Sequence, residues 1–546
     1  MKNVSKRKAI TKVQSSVTAI ILIAIMIGAY FYYTSQSAPV QKPVTLVIAM
    51  DTSTIVSLDP AKAYEFESIL INNNVYNKLV TFKGTDYSVV YPDLADSWSV
   101  ANDGVTWTFN LKHGLTFPSG TPINAAAVIY SFQRVTQLQQ PPSFVITQFG
   151  ITNKTNAVTA VDDYTVQIKL SAPFAKGLFL SCLAFPVASI VDPTVVKAHE
   201  TNRDMGAAWL TDHSAGSGAF TLEKWQRGTE ILLNANKNYW KGKPGVDVID
   251  IKEIKEPLDQ RLLLEKGDID IAWNLLTDQI VSLKDNKDIS IASSPAFQVF
   301  YVGMNAGSKP FNDPRVRNAV KYAIDYNGII NDILKGAAIG LQTIIPKGIA
   351  AYDPEAPFAP DVAKAKSLLA DAGYPNGFSV TLTTPATLGG APTGDIAAKI
   401  KNDLAKIGID VTIQLITYAE LLNKYRAQSL QMVIGRWGSD YADPNSNAAA
   451  FALCRTTSSS DTAKQLAWRN MYANNATSDL VVSASKELND TKRIADYKQI
   501  NSIILTDGPF AMLYQIVIQR AVRTSVKGFT VSPLTLEDFS LITKQT

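Results

Sequence analysis

One uncharged apolar run near the N-terminus most constrains how this chain of 546 residues can fold. The run covers residues 17–33 and reads VTAIILIAIMIGAYFYY. Five cationic residues precede it: Lys2, Lys6, Arg7, Lys8 and Lys12. A basic flank before an apolar run places the N-terminus on the cytoplasmic side, so the sequence predicts that everything after the run is exported. No stretch after residue 43 is long enough to span a bilayer, so residues 44–546 are expected to form an exported globular body.

The sequence leaves three fates open for this segment. It can be retained as an anchor, cut after Ser37, or cut before the apolar run at KRKA, a pattern that resembles archaeal class III (pilin-like) signals and makes an archaeal source one interpretation. We predict retention, with the aromatic residues 30–33 at the outer interface and residues 34–42 as a polar linker. The expected location is therefore the cell surface, with the body outside the membrane.

Composition excludes several classes of protein. Hydrophobic residues make up 46% of the chain and charged residues 18%, which is typical of globular proteins. The formal net charge is +4, and it becomes −1 without the five N-terminal cations, so no basic surface for nucleic acid is expected. The length predicts two or three domains.

Cysteine and histidine are too sparse to predict a metal site. Cys182 and Cys454 lie far apart, and we favour two buried thiols over the disulfide that an oxidising location would permit. The three histidines are not clustered, so no protein-held metal or cofactor is expected. Three sequons beginning at Asn153, Asn475 and Asn489 lie on the exported side and could accept glycan.

Short strand-like runs alternate with helical patterns in the body, which predicts a mixed α/β fold. The predicted strands include residues 45–50, 105–111, 165–170, 231–235 and 410–416. The predicted helices are 67–79, 124–135 with Asn124 as N-cap, 314–323, 361–372 and 395–407. The last of these helices ends at Gly408 before a strand, an order that fits part of a right-handed crossover unit.

Four ordered segments then carry a resemblance to a known family. They are SLDPAKAY through NNNVYNKLV to YPDLADSWSVANDGVTWTFNLKHGLTFPSGTPINAAAV, GSGAFTLEKWQRGTEILLNANKNYWKG, NAGSKPFNDPRVRNAVKYAID, and GRWGSDYADPNS. In this order they resemble the family 5 extracellular solute-binding proteins of ABC importers, which serve peptide, nickel and some oligosaccharide transporters. The resemblance covers most of the exported chain.

The resemblance implies a three-domain form of the periplasmic-binding-protein clamp (class II), in which two α/β lobes are joined by two hinge crossings and an extra domain extends the first lobe. Lobe 1 would comprise residues 44–95, 216–298 and 518–546, the extra domain 96–215, and lobe 2 residues 299–517. Residues 1–43 would form the leader, membrane segment and linker. The crossings are expected near residues 296–305 and 509–519, and ligand between the lobes.

The resemblance also implies a ligand site. In peptide-binding relatives the aspartate of W-x-x-D pairs with the peptide α-amino group, and Asp440 holds that position three residues after Trp437. Alternatively, Asp440 braces the following turn. Trp437 and Tyr441 could stack on a ligand or pack in the core. Some relatives carry a carboxylate-pairing arginine where this chain has Ile434; Arg436 lies two residues along, a strand repeat away.

Position alone suggests that the upstream lobe contributes contacts around residues 61–65 and Ser217.

The predicted function is capture of di- or oligopeptides for an importer whose permease and ATPase subunits are separate chains, because no P-loop is present. The alternative is an oligosaccharide ligand for the same kind of transporter. The sequence TDHSAGSG contains residue types found in hydrolases but lacks a G-x-S-x-G elbow, so catalytic residues are not expected and the chain is predicted not to be an enzyme. A monomer is expected.

Overall fold

Strands and helices alternate along the body as the sequence predicts. The structure, a computed structural model, describes residue 17 and residues 21–28, 42–459 and 464–545. The strands described are β1 (Thr45–Met50), β2 (Val80–Lys83), β3 (Asp86–Pro92), β4 (Ala95–Val100), β5 (Thr106–Leu111), β6 (Val158–Asp162), β7 (Thr165–Lys169), β8 (Phe220–Gln226), β9 (Glu230–Ala235), β10 (Val248–Glu253), β11 (Ile271–Ala272), β12 (Ile289–Met304), β13 (Ala338–Gly340), β14 (Phe378–Thr384), β15 (Ile409–Leu415), β16 (Met432–Gly438), β17 (Phe510–Arg523), β18 (Val526–Lys527) and β19 (Thr543–Lys544).

The helices described in the body are α1 (Phe66–Val75), α2 (Ala125–Leu138), α3 (Phe144–Thr147), α4 (Lys176–Leu183), α5 (Pro193–Ala198), α6 (Pro257–Lys266), α7 (Thr277–Leu283), α8 (Pro314–Ala323), α9 (Tyr326–Gly328), α10 (Val362–Asp371), α11 (Thr393–Ala405), α12 (Tyr418–Arg426), α13 (Pro444–Ala452), α14 (Leu466–Arg469), α15 (Asn475–Lys486) and α16 (Asp490–Thr506). Short turns of 3-10 helix occur at Pro141–Ser143, Pro186–Ala188, Trp209–Thr211 and Phe539–Leu541, and a π-helical turn at Ile329–Ile333.

The predicted membrane segment, residues 17–33, falls largely outside the described residues; its described part is helical over residues 21–28. Of the helices that the structure describes, none combines the length and the apolar character needed to cross a membrane. The body, Thr45–Thr546, forms one compact unit, separate from Met1–Val44.

One sheet of eleven strands runs through the body. Its order is β15-β14-β16-β12-β17-β11-β1-β10-β9-β8, and β13 pairs separately with β17. At its centre β12, with 16 residues, and β17, with 14, run antiparallel side by side. We call the part with β1 and β8–β11 the first lobe, the part with β14–β16 the second lobe, and β12 and β17 the crossing strands.

This arrangement confirms the predicted fold class, a clamp of two α/β lobes joined by two crossings. A smaller antiparallel sheet, in the order β4-β5-β7-β6, forms the extra domain. In the second lobe, β14, α11 and β15 make the predicted crossover, because β14 and β15 pair in parallel over Phe378–Thr384. The residue boundaries of the three domains stay predictions.

Local signals explain where elements begin and end. Asn124 caps α2 as predicted, since its side chain accepts a hydrogen bond from the Ala127 N–H at 3.2 Å. The helix predicted over 67–79 instead ends at Val75. The reason lies beyond the local pattern: the buried Asp93 carboxylate accepts the Lys78 N–H at 2.8 Å, which leads the chain out of the helix and into β2.

Both cysteines are buried thiols, as the sequence favoured over a disulfide. Cys182 lies in α4, and the Cys454 thiol donates to the Thr456 carbonyl at 3.2 Å.

Candidate ligand-binding site

A cavity of about 350 Å³ lies where the two lobes meet the crossing strands. The side chains that give it chemical character are Phe66, Glu67 and Trp273 from the first lobe, Gln298 and Arg520 from the crossing strands, and Arg436 from the second lobe. Polar and charged groups that converge on a cleft between lobes are typical of small-molecule sites. Because both lobes contribute, closing or opening the clamp would change the shape of this cavity.

The crossing strands change register beside the cavity. β12 and β17 pair regularly up to Pro295, and their register then shifts between Pro295 and Val299 and again between Phe300 and Tyr301. From Gln298 onward β12 also pairs with β16 of the second lobe. A register change of this kind bends a strand and re-aims its side chains, and here it places Gln298 in the cavity wall.

Arg436 projects from β16 into the cavity. One of its Nη atoms donates to Gln298 Oε1 at 3.2 Å, and the guanidinium lies 5.2 Å from the centre of the Phe66 ring. The loop before α11 lies against it so closely that a Cβ at Gly389, where φ is +56°, would come within 2.0 Å of the guanidinium. Only glycine fits there without a shift. The structure therefore places this predicted residue in the cavity, held by contacts from three elements.

Arg520 reaches the same cavity from β17. Its guanidinium lies 4.4 Å from the centre of the Trp273 ring, a cation–π contact with a side chain that is only 2% exposed. Burial lowers the pKa of Arg520 to about 10, so the group stays charged at neutral pH. Its Nε is buried and, among the described residues, has no hydrogen-bond partner.

Asp440 lies at a contact between the lobes. The Tyr64 hydroxyl, just before α1 of the first lobe, donates a short hydrogen bond to Asp440 Oδ1. No cation of the described residues lies within 4.0 Å of this carboxylate. Burial raises the pKa of Asp440 to about 7, and the Tyr64 hydrogen bond offsets only part of that effect. The carboxylate is thus positioned between lobes and lacks a compensating charge.

Asp440 does not cap the next helix. Asp443 does that, since its side chain accepts the Asn445 N–H at 2.9 Å and Pro444 follows at the first helical position. Asp440 is held through its backbone, whose N–H donates to Ser446 Oγ at 2.8 Å. Its side chain is therefore left for the Tyr64 contact.

The other predicted site residues lie in different surroundings. Trp437 follows Arg436 on β16, so its side chain starts from the opposite face of the strand; it is partly buried, and its Nε1 has no partner among the described residues. Tyr441 is 3% exposed, packs in the core and accepts a hydrogen bond from Asn445 Nδ2 at 3.2 Å. Ser217 is 2% exposed and donates to Asn77 Oδ1 at 3.1 Å inside the first lobe. The structure brings Arg436 to the cavity and Asp440 to the lobe contact, and keeps Ser217 away from both.

Sequence reasoning missed Glu67, Trp273 and Arg520, and it included Tyr64 only within the range 61–65. Arg520 left a usable signal, because this charged residue directly follows AMLYQIVIQ, an uncharged and largely apolar stretch of a predicted crossing strand. Glu67 left none, because a glutamate on a helix is usually solvent-exposed; here burial raises its pKa, and Thr54 Oγ1 donates to its carboxylate at 2.8 Å. Among the described residues no cluster of three or more His, Cys, Asp or Glu side chains could hold a metal ion.

Comparison with known proteins agrees with this architecture. Residues 89–459 match the family model described as bacterial extracellular solute-binding proteins, family 5 middle. The probable D,D-dipeptide-binding periplasmic protein of Escherichia coli (strain K12) is 32% identical over 494 residues, covering 89% of this chain and 92% of the relative. The dipeptide-binding protein of the same strain is 28% identical over 481 residues, covering 84% and 87%.

A solved structure shows the same fold. The ABC transporter-associated periplasmic binding protein of Helicobacter pylori, in complex with the peptide STSA, superposes with a TM-score of 0.79 at 27% identity, covering 93% of this chain and 99% of that one. Members of the matched family are solute-binding proteins of transporters, so the chain is not an enzyme, as the sequence predicts. This chain belongs to family 5 of the bacterial extracellular solute-binding proteins.

Proposed function

We propose that this chain is the extracellular substrate-binding subunit of an ABC importer, which captures di- or oligopeptides by hinge closure and delivers them to a membrane permease. The observation that carries the proposal is the Asp440 carboxylate, which lies between the lobes with no cation within 4.0 Å among the described residues. A carboxylate that is partly withdrawn from water and has no countercharge is costly, and a ligand ammonium would supply the missing charge. The names of the relatives, two of which are dipeptide-binding proteins, support the same ligand class.

Asp440 is assigned to the α-amino group of the peptide. In the ligand-free protein Tyr64 donates the hydrogen bond that the ammonium would donate in the complex. An ammonium in this place lowers the pKa of Asp440 from its raised value near 7, because an adjacent positive charge favours the ionised form. The site therefore selects for peptides whose N-terminus is free.

The test is a thermal-shift measurement of the full chain in mild detergent, with Ala-Ala in its D,D- and L,L-forms, the tetrapeptide STSA, and the N-acetylated form of each. A peptide at about 100 times its dissociation constant adds roughly 2.7 kcal/mol to the free energy of unfolding. We expect a shift with a free-amino peptide, a much smaller shift with its acetylated form, and no difference between the two in Asp440→Asn.

Asp250→Asn is the matched control. Burial also raises the pKa of Asp250, which lies on β10 and does not line the cavity. Equal binding of free and acetylated peptides by the wild type would remove the assignment of Asp440. If no peptide shifts the melting temperature while a neutral oligosaccharide does, the ligand is a sugar and the peptide proposal is wrong.

We also propose that residues 17–33 stay on the mature protein and hold it at the outer face of the membrane. The basic flank and the apolar run support this. Membrane fractions of the native cells, washed at high salt, should retain the chain, and mass spectrometry of its N-terminal peptide should show that the run is present. Recovery of a soluble chain that begins after Ser37 would contradict the anchor and leave the ligand assignment untouched.

A further inference from the structure

Two guanidinium groups line the cavity from different strands. Arg436 lies on β16 of the second lobe and Arg520 on the crossing strand β17. Each is held by an aromatic ring of the first lobe, Phe66 at 5.2 Å and Trp273 at 4.4 Å from ring centre to guanidinium. Stacking on a ring fixes the plane of a guanidinium and leaves its N–H edge available for in-plane acceptors.

Neither guanidinium has a carboxylate partner. Among the described residues no carboxylate oxygen lies within 4.0 Å of Arg436 or Arg520. Arg436 donates only to the neutral amide of Gln298, and the side-chain hydrogen bond described for Arg520 goes to the Gln519 carbonyl at 3.2 Å. A guanidinium has five N–H donors, so each of these two side chains has most of its hydrogen-bonding capacity available.

Elsewhere in the body the buried arginines are satisfied. Arg134 forms two hydrogen bonds to Asp59, and Arg493 pairs with Asp443 at 2.6 Å. Arg317 donates to the carbonyls of Phe311 and Asp507. Arg436 and Arg520 are only partly buried, yet neither is paired in this way among the described residues, so the cavity holds two cations that a bound anion would neutralise.

We propose that Arg520 and Arg436 together form the subsite that binds the carboxylate of the ligand, with Arg520 as the residue that selects for it. Arg520 occupies a crossing strand, so a carboxylate bound there connects the hinge to the second lobe through Arg436. Guanidinium groups bind carboxylates through paired, nearly parallel N–H···O bonds, which fixes orientation as well as charge. The inference rests on the proposed function for its choice of peptides, since Asp440 then takes the amino end and the arginines the carboxyl end.

Nearby acidic groups are too distant to replace the ligand. Glu67 and Glu537 act on Arg520 through space, but neither lies within 4.0 Å of it. The Glu67 carboxylate already accepts from Thr54, and the Ser532 N–H donates to Glu537. These groups help keep Arg520 protonated while leaving its N–H edge open.

The test compares a peptide acid with its C-terminal amide, which has nearly the same shape and lacks the charge. Isothermal titration of the full chain with Ala-Ala (D,D and L,L) and STSA, each as acid and as amide, gives the ratio of the two dissociation constants. We expect the wild type to prefer the acid by on the order of 10- to 100-fold, the range for hydrogen bonds to a charged group. Arg520→Gln should reduce that ratio to near one by weakening binding of the acid and leaving the amide unchanged.

Two further variants separate this role from a general effect on folding. Arg520→Lys keeps the charge but loses the planar fork, so its ratio should lie between those of the wild type and Arg520→Gln. Arg523→Gln, three residues along the same strand, removes an arginine that bonds to the Leu264 carbonyl and does not line the cavity. It should keep the wild-type ratio. If Arg520→Gln does not fold, Arg520→Lys and Arg436→Gln provide the same comparison.

The outcomes distinguish the inference from the proposed function. An acid preference that persists in Arg520→Gln overturns the carboxylate subsite even when peptides bind. If no peptide binds the wild type, the proposed function fails, and the subsite is tested with galacturonate against galactose. Loss of galacturonate binding in Arg520→Gln supports the subsite, whereas galacturonate binding that Arg520→Gln retains in full, or that the wild type does not prefer over galactose, overturns it as well.

Discussion

The buried charges inside the first lobe have ion-pair partners, whereas the partly buried charges between the lobes do not. Within the lobe, the Arg134 guanidinium and the Asp59 carboxylate are 1% and 0% exposed and face each other through two hydrogen bonds of 3.1 and 2.9 Å. In the cleft, Asp440 and Arg520 each lack an ion-pair partner among the described residues. Both pairs of groups carry a desolvation cost, and only the first offsets it within the protein.

The difference separates charges that support the fold from charges that we propose to recognise a ligand. Asp59 belongs to the LDP turn and Arg134 lies on α2, so their pairing fixes one part of the chain against another. Asp440 instead accepts from an uncharged tyrosine, which a ligand can replace at little cost. Asp440 at the lobe contact and Arg520 in the cavity are therefore charges of opposite sign without an ion-pair partner among the described residues, which is consistent with the proposed zwitterionic ligand.

The largest expected effect comes from breaking the pair in the lobe. Arg134→Met leaves the Asp59 carboxylate buried without a partner, so the free energy of unfolding should fall by about 3–5 kcal/mol. Arg520→Met removes a cation that has no ion-pair partner among the described residues, so no carboxylate loses its partner. The free energy of unfolding of the ligand-free protein should therefore change by no more than about 1 kcal/mol. Urea unfolding of both variants measures the two values. Equal losses would erase the distinction between the two kinds of charge.

The second effect is the part of the pH dependence of stability that comes from Asp440. Its pKa in the folded protein is about 7, above the ordinary value of 3.8 for an aspartate, so the folded state binds the proton more tightly between these values. The stability linked to this group is therefore present below pH 4 and is lost as the pH rises toward 7. Relative to Asp440→Asn, the ligand-free wild type should lose on the order of 2 kcal/mol over this window, once partial exposure is allowed for.

Urea unfolding at pH 4.5, 5.5, 6.5 and 7.5 gives the difference between wild type and Asp440→Asn directly. Glu537, whose pKa burial also raises to about 7, is present in both proteins and cancels in the difference. If the free energies of unfolding of the two proteins change with pH in the same way, the folded protein does not raise the pKa of Asp440.

Much of the fold follows from local sequence signals. The strand at 45–50 and the helix at 314–323 have the predicted bounds, and Asn124 caps α2, because apolar periodicity and capping act over a few residues. The predicted end of α1 at residue 79 is wrong. The Asp93 carboxylate, which binds the Lys78 N–H and draws the chain out of the helix, lies fifteen residues after Lys78 in the chain. Local patterns do not report a bond of that kind.

The site was less predictable because it is assembled from distant segments. Arg436 lies in the same sequence segment as Asp440. Its contacts at the cavity, however, come from the distant residues Phe66, Gln298 and Gly389. Ser217 is predicted as a ligand contact from its position in the chain alone, and the structure buries it beside Asn77. Whether a polar residue faces a cleft or a packed interior depends on the sheet order and the register of the crossing strands, which no single segment encodes.

A smaller effect on the balance between open and closed clamp should follow from removing the hydroxyl of Tyr64, the uncharged hydrogen-bond partner of Asp440. Tyr64→Phe deletes the hydrogen bond between lobes in the ligand-free protein, which is worth about 1 kcal/mol. The balance between closed and open clamp should therefore shift by about 5-fold toward open. Small-angle scattering should show a larger radius of gyration for ligand-free Tyr64→Phe than for wild type, and the same radius with peptide bound. Identical scattering without ligand would mean that this contact does not hold the lobes together.

The smallest effect is expected at Ser217, which tests the other side of the comparison. Its hydroxyl donates to Asn77 within the first lobe and is 2% exposed, so it belongs with the groups that are satisfied inside the fold. Ser217→Ala should lower the free energy of unfolding by about 1 kcal/mol, because the acceptor on Asn77 loses its donor, and should leave the dissociation constant for any peptide unchanged. Urea unfolding and titration of the same preparation measure both quantities. A several-fold loss of peptide affinity at unchanged stability would place Ser217 in contact with the ligand and show that the lobe rearranges on binding.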